Sequence, residues 1–285
     1  MKLLLASLLL AATAAAQELP SRWDELTASD WPKAQERAAY TCVLPVGILE
    51  KHGPHAPLGA DLIQVRELAA RAARQEYAVV FPDFFYGQIY EAQHTPGTFA
   101  LPSRVVWDLL DATVEEIGRN GFKRIVIVNG HGGNPDLLRF FVQSQLERRR
   151  DYVVYFFTPE WDAEFDRKQK SLRKSDAAAD LHAGEGETSA LLALRPDLVQ
   201  MERAAQESGA DEKRLPPLPG LYTAIWWYAR FPNHYAGEGA KATRELGQAI
   251  TDHRVSALVK ALRAVKADDQ TPRIQKEYFD RIKKP

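Results

Sequence analysis

The chain has 285 residues, 45% hydrophobic and 26% charged, an ordinary globular balance that excludes collagen-like, low-complexity and disordered classes. Lys and Arg total 37 against 38 Asp and Glu, so the formal net charge of -1 points neither to nucleic acid nor to an acidic solvating tail. The single cysteine, Cys42, excludes an intrachain disulfide and a cysteine-based zinc site, so any metal must be held by His, Asp and Glu.

Lys2 precedes an unbroken run of apolar and small residues, Leu3–Ala16. That run is too short to span a bilayer comfortably as a mature helix. Charge, apolar stretch and closing alanines read as a secretory signal peptide cut near Ala16. The expected location is secreted or periplasmic, with no membrane attachment after cleavage. Residues 17–285 are expected to form a single domain, ample for one buried core.

Beyond Tyr40 the chain alternates short β-rich runs with longer amphipathic stretches. Thr41–Gly47 reads as a buried strand. Asp61–Glu76 reads as a helix, with Leu62, Val65, Leu68, Ala69 and Ala72 at helical spacing. Ala78–Pro82 is a second strand, and Ser103–Asn120 a helix closed by Asn120-Gly121. Arg124–Gly130 is the clearest strand. Pro135–Arg150 follows as a helix, with Asn134 as its cap and Pro135 at the first helical position. Tyr152–Phe157 is a fourth strand, Glu185–Leu194 a short helix, and Gly239–Lys266 a long C-terminal helix. Ala204–Gly220 reads as a surface loop. Strands separated by helices imply an α/β fold, a mainly parallel sheet covered on both faces.

Sheets of this kind bind ligands beyond the carboxyl ends of their strands. Three segments there carry chemistry. In Leu49–His55, Glu50 and His52 are two apart, so in an extended segment both side chains point the same way and suit a divalent cation. Asp61 follows a Gly-Pro-rich loop that can fold back, and its two oxygens could bridge two metals. In Val128–Asn134, His131 is flanked by glycines that expose amide hydrogens, but the lysine of a phosphate loop is absent. In Leu181–Ser189, Glu185 and Glu187 have a bland reading as partners of the helix dipole, worth about 0.3–1 kcal/mol each. That reading does not explain His182.

Together these segments resemble the creatininase family of metal-dependent amidohydrolases. The resemblance covers Leu44–Asp61, Thr95–Leu101, Gly121–Asn134 and His182–Val199, and more loosely Tyr235–Gly247. It implies a three-layer α/β sandwich and a two-metal centre. By position, Glu50, His52, Asp61 and His131 match the ligands, with Asp61 bridging. Creatininase has a ligand carboxylate two residues after the histidine of the third strand's loop, where this chain has Gly133. Glu187 is the candidate replacement and Glu185 its rival. His182 matches a histidine able to serve as proton donor, with an ordinary pKa of ~6.5 suited to that task. Ala178 stands where creatininase has a tryptophan. Both departures argue against creatinine as substrate.

The implied cofactors are two divalent ions, zinc first, with manganese and iron tolerating the same donors. Amides of Gly132 and Gly133 would help hold an oxyanion. The resemblance makes the Thr95–Leu101 segment a border of the pocket; Glu91 and His94, just before it, are either substrate contacts, Glu91 first, or part of a solvated loop, and His55 supports the ligands from behind. The implied partner is a small-molecule amide. The family's common hexamers, with the aromatic run Trp226–Tyr228, imply a homo-oligomer. Cys42 reads as a small buried hydrophobe. The expected activity is hydrolysis of a C–N bond in a cyclic or non-peptide amide. The alternatives are a peptidase-like member acting on a small peptide or modified amino acid, and a metal-stabilised binding protein without turnover.

Overall fold

The computed structural model describes residues 19–160 and 162–282; the expected signal peptide at residues 1–16 lies outside them. Strands β1 (Thr41–Val46), β2 (Val79–Val80), β3 (Arg124–Asn129) and β4 (Val153–Phe157) form one all-parallel sheet in the order β2-β1-β3-β4. The helices in chain order are α1 (Trp31–Arg37), α2 (Ala60–Gln75), α3 (Ser103–Arg119), α4 (Pro135–Ser144), α5 (Ala163–Leu172), α6 (Glu185–Leu194), α7 (Trp226–Arg230), α8 (Arg244–Ala267) and α9 (Gln270–Arg281).

The strands are near-continuous apolar runs because both faces are covered. Cys42, Leu44, Val46, Ile125 and Ile127 pack on one side, against Ala34 of α1, Leu110, Val114 and Ile117 of α3, and Leu138 and Phe141 of α4. Val43, Val126 and Val128 pack on the other, against Val65, Leu68 and Ala72 of α2 and Val255, Leu258 and Leu262 of α8. The period-two alternation of strand side chains thus divides the core into two layers around the sheet, the three-layer sandwich expected. Cys42 is fully buried, and burial pushes its thiol pKa up. No helix among the described residues is long and apolar enough to cross a membrane.

Several boundaries differ from the sequence reading. Helix α4 ends at Ser144, short of Arg150: Ser144 Oγ donates to the Phe141 carbonyl, and Arg148 and Arg150 turn to Asp111 on α3. Helix α8 starts at Arg244, where Thr243 Oγ1 accepts from the Leu246 N–H. The expected first turns, Gly239–Lys241, are a separate 3-10 turn against the His55 ring. Asn134 precedes α4 but does not cap it. Helices α1, α5, α7 and α9 add to the sequence reading. Residues 204–220 form a largely exposed irregular segment, as expected.

The register brings β1 and β3 to a common end, Val46 opposite Asn129. Two glycines just beyond let α2 lie against that end. A Cβ at Gly47 would fall 2.6 Å from Leu62 Cα, and one at Gly130 would fall 2.6 Å from the Asp61 carbonyl oxygen. Asp61, in the first turn of α2, is thereby set between the two strand tips. Gly130→Ala should push α2 away at a cost of about 1–3 kcal/mol, the usual scale for overpacking. A denaturant midpoint equal to wild type would contradict this close packing.

Candidate metal centre

Three chain segments converge at the carboxyl end of the sheet. Beyond β1 the chain folds back in a tight loop, with the Glu50 N–H donating to the Leu58 carbonyl and the Ala56 N–H to the His52 carbonyl. Glu50 and His52 are fully buried there. The expected pocket border, Thr95–Leu101, packs beside this loop through the Phe99 N–H and the Leu49 carbonyl. Beyond β3, two asparagines tie the His131 loop. Asn129 donates to the His131 carbonyl and accepts from the His131 N–H, while Asn134 donates to Asn129 and accepts from the Gln88 N–H. The asparagine expected to cap α4 is therefore occupied in holding His131.

The tautomers of His131 and His52 follow from their outer partners. His131 Nε2 lies 2.9 Å from the Gln88 carbonyl oxygen and must donate to it, which leaves Nδ1 as an acceptor. That Nδ1 faces Glu50 Oε1 at 2.7 Å and Asp61 Oδ2 at 2.9 Å. His52 Nδ1 lies 3.2 Å from the Glu50 carbonyl oxygen, so its Nε2 is the acceptor. That Nε2 faces Asp61 Oδ1 at 3.2 Å and Glu187 Oε1 at 3.7 Å. Glu50 Oε1 and Asp61 Oδ2 are buried without a hydrogen-bond partner. Lone pairs that converge in this way need a cation between them. The donor set therefore fits divalent metal: Glu50, Asp61 and His131 form one group, while His52, which faces the other oxygen of Asp61, forms a second with Glu187 and His182.

The ionisation equilibria carry the same message. Burial opposes charge on His131 and His52, yet the carboxylates around them raise both pKa values well above the ordinary range. Burial alone would raise Glu50, but His131, His182 and His234 hold it well below the usual carboxylate range. Asp61 is raised, by burial first and by the like charge of Glu50. Burial opposes the charge on Glu187, but His52 brings its pKa down to about 2. Without a cation, protons on the two histidines take its place.

Glu187 and Glu185 have different surroundings. Glu185 accepts from the Lys174 N–H, the Ser175 N–H and Ser175 Oγ, and so fastens the 174–175 segment to α6. Glu187 faces His52. Gly133 has no room for a ligand: a Cβ there would lie 2.5 Å from both Gln88 Oε1 and His131 Nε2. The amide N–H groups of Gly132 and Gly133 have no partner among the described residues.

His182 sits beside the cluster, its ring centroid 4.5 Å from that of His52. Its Nε2–H is committed to the Lys51 carbonyl at 2.7 Å, and its Nδ1 lies 3.9 Å from Glu187 Oε2. Burial lowers its pKa to about 4, which corrects the expectation of an ordinary histidine. His55 donates from Nε2 to Thr188 Oγ1, next to Glu187. Glu91 does not enter the cluster; its carboxylate accepts from Gln88 Nε2. His94 bonds to the Pro232 carbonyl.

The sequence reading missed His234 and Gln88, and left Trp227 among interface or core aromatics. His234 is buried, and its Nε2 lies 2.5 Å from Glu50 Oε2. Trp227 Nε1 donates to His234 Nδ1 at 2.8 Å. The available signal was position: His234 immediately precedes Tyr235–Gly247, and Ala236 bridges to His182 through paired backbone hydrogen bonds.

Comparison with known proteins agrees with this geometry. The family model for creatinine amidohydrolase, Creatininase, matches residues 24–262. A creatinine amidohydrolase of Pseudomonas putida is 31% identical over 252 residues, 82% of this chain and 94% of its own. A mycofactocin precursor peptide peptidase of Mycobacterium ulcerans is 28% identical, covering 72% of each chain. A crystal structure of creatininase superposes with a TM-score of 0.70 at 25% identity, over 85% of this chain and 96% of that one. The chain belongs to the creatininase family, hydrolases of carbon–nitrogen bonds other than peptide bonds.

Removing cations should make stability depend on pH. The folded-state pKa values of His52 and His131 are raised above the ordinary ~6.5. Their contribution is fully present below that value and is lost as pH rises through the raised one. The Tm gap between zinc-loaded and chelator-treated protein should therefore widen as pH rises above about 6.5. A gap that stays constant would mean that no cation replaces those protons.

Proposed function

We propose that the protein is a two-metal amidohydrolase that cleaves a C–N bond in a cyclic or otherwise non-peptide amide. The supporting observation is the convergence of His52 Nε2 and His131 Nδ1 on the two oxygens of Asp61. Glu50, Asp61 and His131 would hold one ion, and His52, Asp61 and Glu187 the other. Zinc is the first expectation, and manganese or iron suits the same donors. When bound, such a pair polarises a carbonyl and lowers the pKa of a water toward ~7.

The chain's own groups do the rest. The Gln88 and Glu50 carbonyls fix the tautomers of His131 and His52. The unbonded amides of Gly132 and Gly133 are assigned to the developing oxyanion. His182 Nδ1, the free acceptor because Nε2–H is held by the Lys51 carbonyl, is assigned to take a proton from the attacking water and pass it to the leaving nitrogen. Burial makes its protonated ring a stronger acid than free imidazole. Glu91 contacts substrate from the Gln88 side. Relatives that carry peptidase names favour a second substrate class, a short or modified peptide. The chain is also proposed to be exported, on its Leu3–Ala16 run, and to assemble as a homo-oligomer. For assembly, the exposed Leu221, Tyr222 and Ile225 beside Trp226–Tyr228 offer apolar surface.

Metal analysis and a substrate screen test this reading. Purified protein should carry about two divalent ions per chain. Asp61→Ala should lose both and Glu187→Gln one. Glu185→Gln should retain both while losing about 1–3 kcal/mol of stability. Cyclic amides and lactams should be turned over with metal restored; turnover of short peptides alone would select the second class. Full activity without metal would overturn both.

His182 has its own test. His182→Ala should keep both ions while the rate falls ~10²–10⁴-fold, with a much smaller loss for an amide bearing a good leaving group. Loss of an ion would instead make His182 a ligand beside His52 and Glu187, with which it also groups.

A further inference from the structure

Glu50 is held from behind by a chain of hydrogen bonds that begins on a different part of the fold. Trp227, on the short helix α7, carries only an indole N–H, which can donate and never accept. Its Nε1 lies 2.8 Å from His234 Nδ1, so that nitrogen must be the acceptor. A protonated Nδ1 would set two donors against each other. Nδ1 is therefore the accepting nitrogen and Nε2 the donating one. That proton faces Glu50 Oε2 at 2.5 Å.

Two consequences follow. His234 cannot offer Nε2 to an ion, although Glu50, His182 and His234 lie close enough together to suggest a cage. And one oxygen of Glu50 is spoken for, so only Oε1, buried and unpartnered, is presented toward His131 and Asp61. His234 adopts a left-handed backbone conformation, φ 55°, uncommon for a residue other than glycine. The following Ala236 is anchored to His182 by two backbone hydrogen bonds. The segment is thus held in a constrained conformation that delivers the ring to Glu50.

We infer that Trp227 and His234 are positioning residues that fix which oxygen of Glu50 is offered to the ion held by Glu50, Asp61 and His131, so that affinity at this position is set in part from α7. The inference rests on the two-metal reading. Its prediction is selective: the ion at Glu50 weakens, while the one at His52, Asp61 and Glu187 keeps its affinity. Loss of an outer partner of this kind typically costs 10–100-fold in metal affinity.

The test is zinc titration against a competing chelator, on the full chain, for wild type and three variants whose folding is verified by circular dichroism. Wild type should bind zinc in two steps. In Trp227→Phe, which keeps an aromatic ring but lacks the N–H, one step should weaken about 10-fold or more and the other should stay. In His234→Leu the same step should weaken by up to about 100-fold. His234→Gln should restore most of it, because its amide oxygen can accept from Trp227 while its NH₂ donates to Glu50. Equal affinities in Leu and Gln variants would mean that the ring only fills space. Unchanged binding in folded Trp227→Phe, or both steps weakening equally, would overturn the inference with the two-metal reading intact. A wild type that binds no zinc, manganese or iron would overturn the two-metal reading itself, and this inference with it.

Discussion

The structure turns on one electrostatic constraint: three carboxylates and two imidazoles meet around Asp61 with their lone pairs facing inward. Two of the oxygens are buried and unpartnered. Charges gathered like this in low dielectric are strongly unfavourable unless something positive sits among them. Protons on His52 and His131 are one answer, and divalent ions are the other. The surrounding architecture keeps the lone pairs directed inward. Each imidazole is fixed by a backbone carbonyl at its far nitrogen. Gly47 and Gly130 let α2 approach until Asp61 lies between the strand tips. The site is therefore a property of how two parallel strands end, rather than of any one loop.

The sheet was legible because its strands are buried on both faces, and a run such as Arg124–Asn129 has little alternative. Helices α2, α3 and α6 were legible to within a residue or so through their apolar spacing and turn signals. The polar helices were not. Of α9 only Phe279 is buried, so the periodicity that betrays a core-facing helix is nearly absent. Helix α5 has the same weakness, with Phe165 as its single buried residue. The end of α4 was misjudged because Leu146–Arg150 continues a helical composition, whereas Arg148 and Arg150 are drawn to Asp111 and Arg149 to Asp280 by charge. Residue pattern registers burial well and long-range ion pairs poorly.

The candidate site was partly legible for a similar reason. Glu50 and His52 are two apart and do reach one cluster, but they serve different groups of donors. The link between them is the Glu50 carbonyl on His52 Nδ1, which no spacing rule contains. Asn134 was assigned to capping because it stands before a proline, yet tertiary contact gives its side chain to Gln88 and Asn129. His234 and Trp227 lie far from the metal motifs in sequence. Only folding brings them to Glu50.

Glu185 and Glu187, rivals in the sequence, are given different surroundings by helix geometry. Residues two apart on an α-helix face nearly opposite directions, so the two acids of α6 cannot share a task. Glu185 turns to the amides of Lys174 and Ser175, and Glu187 to His52. At the other side of the cluster, Gln88 and the His131 ring fill the space that a side chain at position 133 would need. A carboxylate could reach His52 from α6 but not from the β3 loop. That loop has two glycines in succession after His131, with their amides unbonded among the described residues. The β3 loop thus presents His131 and two open amides, while α6 brings the second carboxylate to His52.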